Sequence, residues 1–485
     1  MMIIWIFLST IISLILGYVI VNYIDKGNIL WFRRKITLWY CLWTGLVGIL
    51  LFLQGIMNIP YKGIYIWLGI ALVIGVFLFL NKNIWKKPAM PNLKSIFVNL
   101  KKWSMIDKIL LSIFWVLFLY NVILWFVFVL QSPTYQDDAW GKWNLRAKVF
   151  FYQKSLVIDK TSDQYLWMFW WPYDFEKEKN MPLRSYPFWN NLQKMFVAEN
   201  MWFFQDESVN VINPVFFVFL ILAIMGLLSL LLKKRGVISI GILLLTFPYL
   251  FIHVTNPYVE LFVSWYFTLA TIFLFLTLQH KQHKQYMWLF WLSLLCLLFT
   301  KKEGFASSLV LGFIYGCSLL VDNYKHTKHL VKIIWEKFLL PLSPWIVFLV
   351  VWFGFLHYTG YAGIFLHHIN EPGQSYFHSE IFSIFKIVIF EQGNYNLLWL
   401  FWILSIVYYR KKIRYTNIKY IFIAFLLNFL LAFYALATTS FLEAKTQVGI
   451  NRALLPVSVL FVVLCGIVIF YKDDTILSLN EKSHE

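Results

Sequence analysis

The 485-residue chain is 60% hydrophobic and 20% aromatic, and only 14% of its residues are charged. A soluble domain cannot hide so much apolar surface, and the uninterrupted runs, long enough to cross ~30 Å of hydrocarbon, predict an all-α polytopic membrane protein. The net charge of +18 does not indicate nucleic-acid binding here, because Lys and Arg of membrane proteins collect in cytoplasmic loops.

The apolar runs predict about thirteen transmembrane helices on a ~20-residue template. The first run is interpreted as a retained span, because neither a basic segment nor a small-residue cleavage site accompanies it. The runs 237–252 and 286–300 are short and are interpreted as tilted or partly re-entrant. The predicted spans are 3–23, 38–57, 64–80, 109–131, 211–232, 237–252, 257–278, 286–300, 305–321, 334–357, 393–408, 419–438 and 451–471.

Basic clusters separate alternate pairs of spans, and the positive-inside rule assigns them to the cytoplasm. The N-terminus is then predicted outside and the tail, residues 472–485, inside. The largest predicted outer loop, 132–209, carries nine Lys and Arg against ten Asp and Glu, so it lacks the positive excess of the inner loops. The clusters lie at residues 33–35, 86–102, 233–235 and 410–414.

This outer loop opens with SPTYQDDAWGKWNLRAK, which places Asp137 and Asp138 directly after a span. Charge near hydrocarbon is costly and is often functional. The following residues show apolar spacings of three and four, which predicts a short amphipathic helix in the membrane interface. An alternative is that the two carboxylates cap that helix. The apolar face comprises Trp140, Trp143, Ala147, Phe150 and Phe151, and Lys142, Arg146 and Val149 lie largely opposite.

The segment DDAWGKWNLRAKVFF resembles a segment of bacterial membrane glycosyltransferases of the GT-C superfamily, which includes protein O-mannosyltransferases and the lipid A aminoarabinose transferase. Four further segments resemble family segments in the expected order. They are SYPFWNNL (185–192), PYVELFVSWYFTLA (257–270), TKKEGFASSL (300–309) and NRALLPVSVL (451–460). The resemblance implies a transmembrane catalytic core over 108–471, with the N-terminal helices of residues 1–107 outside the matched region.

In that superfamily the first large outer loop carries the catalytic carboxylate, so the resemblance implies Asp138 as general base and Asp137 as second candidate. A polyprenyl-phosphate sugar needs no general acid, whereas the acceptor hydroxyl needs a base and the departing phosphate needs cations. Lys301, Lys302 and Arg452 are the predicted phosphate ligands. Snorkelling of the two lysines and headgroup anchoring by Arg452 remain alternatives.

Glu260, Tyr186, Trp140 and Lys142 are the predicted substrate contacts. Glu260 stands a turn inside a predicted span, where an unpaired charge is costly, and the family more usually has Asp there. Either it binds the donor sugar or the acceptor, or it simply pairs with Lys302. Tyr186 has the further alternative that it only shapes the loop.

No cofactor is predicted, and a divalent metal is not indicated. One predicted outer loop holds several histidines and a glutamate, but their spacing fits no zinc motif, so acceptor contact or a plain loop is preferred. The cysteines lie in apolar runs and are predicted to be packing residues rather than disulfide partners. The loop residues are His367, His368, Glu371 and His378, and the cysteines are Cys41, Cys296, Cys317 and Cys465.

The sequence thus predicts an inverting glycosyltransferase of the plasma membrane. It would move a sugar from polyprenyl phosphate to a hydroxyl of an extracytoplasmic glycan, lipid or protein. One alternative is a surface-polysaccharide polymerase or ligase that uses a lipid diphosphate donor. The other is a transporter or flippase, which is expected to bury charges near the bilayer midplane rather than at span ends.

Overall fold

The protein is seen here as a computed structural model. Within the residues it describes, the chain is helical and the β-bridge pairs Leu232 with Tyr471, which confirms the predicted all-α class. The described residues are 10–11, 14, 17–25, 30, 32–80, 103–132, 134, 143–156, 187–256, 258–323, 327–359, 377–391, 395, 398–438 and 448–471.

The α-helices are numbered in chain order. The first nine are α1 (Phe32–Ile56), α2 (Gly63–Leu80), α3 (Met105–Gln131), α4 (Leu145–Gln153), α5 (Trp189–Met201), α6 (Asp206–Val209), α7 (Ile212–Leu231), α8 (Lys234–Leu245) and α9 (Pro248–Thr255). The others are α10 (Glu260–Gln279), α11 (Lys284–Leu298), α12 (Lys302–Asn323), α13 (Thr327–Ile334), α14 (Leu340–Tyr358), α15 (Ile381–Lys386), α16 (Leu398–Tyr415), α17 (Ile418–Ala437) and α18 (Val448–Phe470).

Several of these helices are long and apolar enough to cross a membrane. Among the described residues there are nine, or ten if the bent pair of α8 and α9 is one span. The chain is therefore a multi-pass membrane protein by helix length and composition, although the predicted number of thirteen is not confirmed. Most of run 3–23 lies outside the described residues, α11 has only 15 residues, and α16 ends in the basic run RKKIR.

The short run 237–252 is divided between two helices in the structure. Helices α8 and α9 meet at 61°, and the second of them begins at Pro248. A residue before proline is disfavoured in helical geometry, and Phe247 is accordingly extended, with ψ 107°. The Phe247–Pro248 sequence therefore separates α8 from α9.

Helix α10 forms the centre of the bundle, because its apolar stretch is 100% buried by other parts of the protein. It packs mainly against α11 and α18. Helix α2 is the opposite case, with only 11% of its stretch buried. A helix that is apolar on all sides needs protein or lipid around it, so α2 requires lipid or further protein over most of its surface.

Helices α8 and α18 approach each other unusually closely through two glycines. A Cβ at Gly466 would overlap the Ile240 side chain, and a Cβ at Gly236 would overlap that of Phe470. The Leu232–Tyr471 bridge closes the same end of the helix pair. The two helices are thus locked in register.

Helix α4, in the predicted outer loop, corrects one expectation. The predicted interfacial helix would keep a polar face in contact with headgroups, but residues 145–151 are all buried, including Arg146 and Lys148. Helix α5 packs along α4, and the Arg146 guanidinium lies 5.3 Å from the centroid of the Phe188 ring. Protein therefore covers the face that was expected to be polar and exposed.

Candidate functional site

A buried ionic cluster lies where three parts of the chain meet. Glu260 is the first residue of α10, Lys301 stands in the turn between α11 and α12, and Arg452 lies in the first turns of α18. All three were singled out from the sequence, for different reasons. The fold brings them into direct contact.

One carboxylate oxygen of Glu260 contacts both cations of the cluster. Oε1 accepts hydrogen bonds from Lys301 Nζ at 2.9 Å and from Arg452 Nε at 2.7 Å, and Arg452 Nη2 lies 2.5 Å from it. The Glu260 side chain is only 4% exposed. Its second oxygen, Oε2, is buried and meets no hydrogen-bond partner among the described residues. A buried carboxylate oxygen normally has a donor, so Oε2 is the open position of the cluster.

The turn that carries Lys301 is shaped by local hydrogen bonds and a glycine. Thr300 donates from Oγ1 to the Leu297 carbonyl at 2.6 Å, and the backbone N–H of Phe305 bonds the Lys301 carbonyl at 3.1 Å. A Cβ at Gly304 would overlap the Leu297 carbonyl oxygen. The sequence TKKEG therefore permits a turn tight enough to aim Lys301 at α10.

Aromatic side chains surround the cluster on the side of α9. The Arg452 guanidinium lies 4.7 Å from the ring centroid of Tyr258, and His253 lies between Tyr258 and Tyr249 at 5.4 Å and 4.6 Å. The hydroxyl of Tyr395 donates to the Asn451 carbonyl at 3.0 Å, which holds the start of α18. Sequence reasoning missed these residues, although Tyr258 stands only two positions before Glu260.

Among the described residues, the cluster pairs two cations with two carboxylates that differ in exposure. Lys301 and Arg452 together offer two cations to one carboxylate, and the second carboxylate near Lys301, Glu303 at 2.8 Å, has a side chain that is 53% exposed. Arg452 is itself 19% exposed, whereas Lys301 is 9% exposed. Glu260 therefore holds both cations in place, and Arg452 is the more exposed of the two.

The two neighbouring lysines lie in different surroundings. Lys301 makes the ion pair with Glu260 that the sequence offered, as an alternative, to Lys302. Lys302 instead lines a small apolar cleft, together with Pro187 of the predicted outer loop and with aromatic residues that include Phe305 and Trp352. The predicted pair of phosphate-binding lysines is therefore split between an ionic cluster and an apolar wall.

Several predicted site residues lie outside the described residues. They are Asp137, Asp138, Trp140, Lys142 and Tyr186, and also His367, His368 and Glu371. In the part of the chain that the structure describes, no three His, Cys, Asp or Glu residues are grouped to hold a metal ion. The four cysteines, all of which are described, are free thiols.

A second polar cluster, which sequence reasoning missed, lies at the base of the predicted outer loop. Lys194 of α5 is fully buried there, near Asn144 and Asp206. Burial lowers the pKa of the Lys194 ammonium to about 7, and the Asp206 carboxylate partly offsets that shift. Lys194 gave little signal in the sequence, because a lysine on a short amphipathic helix normally faces water.

In comparisons with protein families, curated proteins and solved structures, nothing matches this chain.

Proposed function

We propose that this protein is an inverting membrane glycosyltransferase that moves a sugar from a polyprenyl-phosphate donor to a hydroxyl of an extracytoplasmic glycan, lipid or protein. The proposal rests on the resemblance of five segments to the GT-C superfamily. The single observation that supports it most is the Glu260 cluster. Three of those segments each contribute one charged residue to it, although the partners of Glu260 are 41 and 192 residues away in sequence.

The proposed reaction is a direct displacement at the anomeric carbon. Asp138 takes the proton of the acceptor hydroxyl as the oxygen attacks, and the bond from the anomeric carbon to the phosphate oxygen breaks. The electron pair leaves with the polyprenyl phosphate, whose added charge is stabilised by Arg452 and Lys301. Glu260 Oε2 is available to accept a hydrogen bond from a sugar hydroxyl.

The proposed topology has thirteen spans in the plasma membrane, with the loop 132–209 and the site on the extracytoplasmic face. The basic clusters support this orientation. A cysteine introduced at Ser162 should react with an impermeant thiol reagent in intact cells, and one at Ser95 should not. The reverse labelling pattern would overturn both the orientation and the site.

The test of the function is sugar transfer by the purified protein in lipid nanodiscs, with Asp138→Asn as the decisive variant. The amide keeps the shape and can still cap a helix, but it cannot act as a base. Turnover should fall by ~10²–10⁴-fold, while the thermal midpoint stays near that of the parent protein.

Asp137→Asn is the matched control and should matter less. If Asp138→Asn turns over normally and Asp137→Asn is inactive, the base is misassigned by one residue. If both variants are active, this loop does not supply the base. Mass spectrometry of copurifying lipid separates the alternatives, because a lipid diphosphate would favour a polysaccharide polymerase or ligase.

A further inference from the structure

The second polar cluster is a continuous chain of buried hydrogen bonds. Lys194 Nζ donates to Asn144 Oδ1 at 2.6 Å, and Asn144 Nδ2 donates to Asp206 Oδ1 at 2.8 Å. Lys194 and Asn144 are both fully buried. The amide of Asn144 thus relays between an ammonium and a carboxylate, with its oxygen toward the cation and its nitrogen toward the anion.

The same cluster also binds Thr134, the described residue that precedes segment 135–142. Thr134 Oγ1 accepts a hydrogen bond from Asn210 Nδ2 at 2.8 Å and a longer one from Asn144 Nδ2 at 3.4 Å. The carbonyl of Trp143 accepts from Asn191 Nδ2 at 2.7 Å. The described residues that flank segment 135–142 therefore meet at one place.

A buried polar network lowers the stability of the fold unless every polar group in it has a hydrogen-bond partner. A buried lysine without hydrogen bonds is strongly disfavoured, whereas a satisfied buried network fixes a single geometry. Burial lowers the pKa of Lys194, yet Asn144 and Asp206 supply an acceptor and a negative charge at close range. A Leu or Met at position 194 would fill this space at lower cost, so the lysine has a reason other than packing.

We propose that Lys194, Asn144 and Asp206, together with Asn210 on Thr134, form a buried clamp that holds the two described flanks of segment 135–142, the segment that carries the proposed base. This rests on the proposed function, since the segment carries the proposed base. Lys194 is a positioning residue and does not touch the substrate. A misplacement of ~1 Å can reduce a rate by ~10²-fold, so holding the ends of this segment is a direct control on turnover.

The main test compares Lys194→Met with Lys154→Met. Lys154 is a matched control because it pairs with Glu199 and so joins the same two helices, α4 and α5, near their C-terminal ends. For Lys194→Met we expect a ~10–100-fold fall in kcat with the donor KM unchanged. Hydrogen exchange of the peptide 132–144 in the full-length protein should become faster. For Lys154→Met we expect neither change.

A charge exchange supplies the rescue. Asn144→Asp alone places two carboxylates in contact, and Asp206→Asn alone leaves Lys194 without its counter-charge, so each single variant should lower turnover and speed exchange. In the double variant Asn144→Asp/Asp206→Asn, Lys194 again has a carboxylate beside it and an amide lies beyond it. Turnover and exchange should both recover toward parental values.

Two results would overturn the clamp. The first is Lys194→Met with parental kcat and parental exchange, and the second is a double variant no better than its singles. If Lys194→Met does not accumulate as folded protein, the double variant decides. Hydrogen exchange also separates this proposal from the proposed function. If exchange becomes faster in Lys194→Met but neither the parent protein nor any variant transfers a sugar, the clamp is supported and the glycosyltransferase function is contradicted.

Discussion

Two buried carboxylates of this protein, Asp25 and Glu260, pair with cations in opposite ways. Asp25 follows the helical residues 17–24, and its Oδ2 accepts from Lys35 Nζ at 2.9 Å and from the Leu30 backbone N–H at 3.1 Å. Lys35 also donates to Asn22 Oδ1 at 2.9 Å. Among the described residues, Asp25 meets the one cation Lys35, and neutral groups join the pair.

Glu260 is paired unevenly among the described residues, since two cations share a single oxygen and the other oxygen has no donor there. Lys301 also pairs with Glu303, whose side chain is half exposed. A balanced pair has no further charge to offer a ligand, and removing either member leaves a buried charge. In an unbalanced set, one cation can be lost without stranding the carboxylate. The comparison teaches that the number of cations that share one buried carboxylate, rather than burial, separates a candidate binding site from a structural ion pair.

The largest loss of stability is expected from breaking the balanced pair of Asp25 and Lys35. Lys35→Met leaves Asp25 buried without its cation, and breaking a buried pair in this way typically costs ~3–5 kcal/mol. The free energy of unfolding in bicelles should fall by about that amount, while turnover per folded molecule stays unchanged. A normal unfolding free energy for this variant would show that Asp25 is compensated by other groups, and the comparison would fail on that side.

A smaller loss of stability, but a loss of activity, is expected at the unbalanced set. Lys301→Met leaves Arg452 to neutralise Glu260, so the unfolding free energy should fall less than for Lys35→Met. A hydrogen bond to a charged group is worth ~1.5–3 kcal/mol, so kcat/KM for the donor should fall by roughly 10–100-fold. Turnover at the parental rate with a large stability loss would make the Glu260 cluster structural.

The smallest effect is expected at an exposed pair that serves as the control for both sites. Lys281 lies 2.7 Å from Asp322, and its side chain is 59% exposed. Water and salt screen such a pair, so Lys281→Met should change stability by no more than ~1 kcal/mol and leave transfer unchanged. If Lys281→Met lowers turnover as much as Lys301→Met does, then the loss of any lysine from the bundle lowers activity. The effect of Lys301→Met would then not indicate a role in donor binding.

The sequence predicted well the features that depend on local pattern. Uninterrupted apolar runs predicted the helical membrane class, and charges at the ends of runs identified Glu260, Lys301 and Arg452. Pairing of Glu260 with Lys302 was one alternative from the sequence, whereas the structure pairs Glu260 with Lys301, because the choice of lysine depends on the turn at Gly304. The buried polar side of α4 and the burial of Lys194 escaped prediction, since periodicity identifies an apolar face but does not say what packs against the other face.

The two glycines between α8 and α18 have a consequence at a distance. Gly466 fixes the rotation of α18 against α8, and Arg452 lies on that same helix, roughly 21 Å away at ~1.5 Å per residue. One inserted residue between them would turn the guanidinium by about 100° around the helix axis and point it away from Glu260. The direction in which Arg452 points around the axis of α18 is therefore set at the far end of the bundle. The two positions that set it, Gly236 and Gly466, have no side-chain functional group.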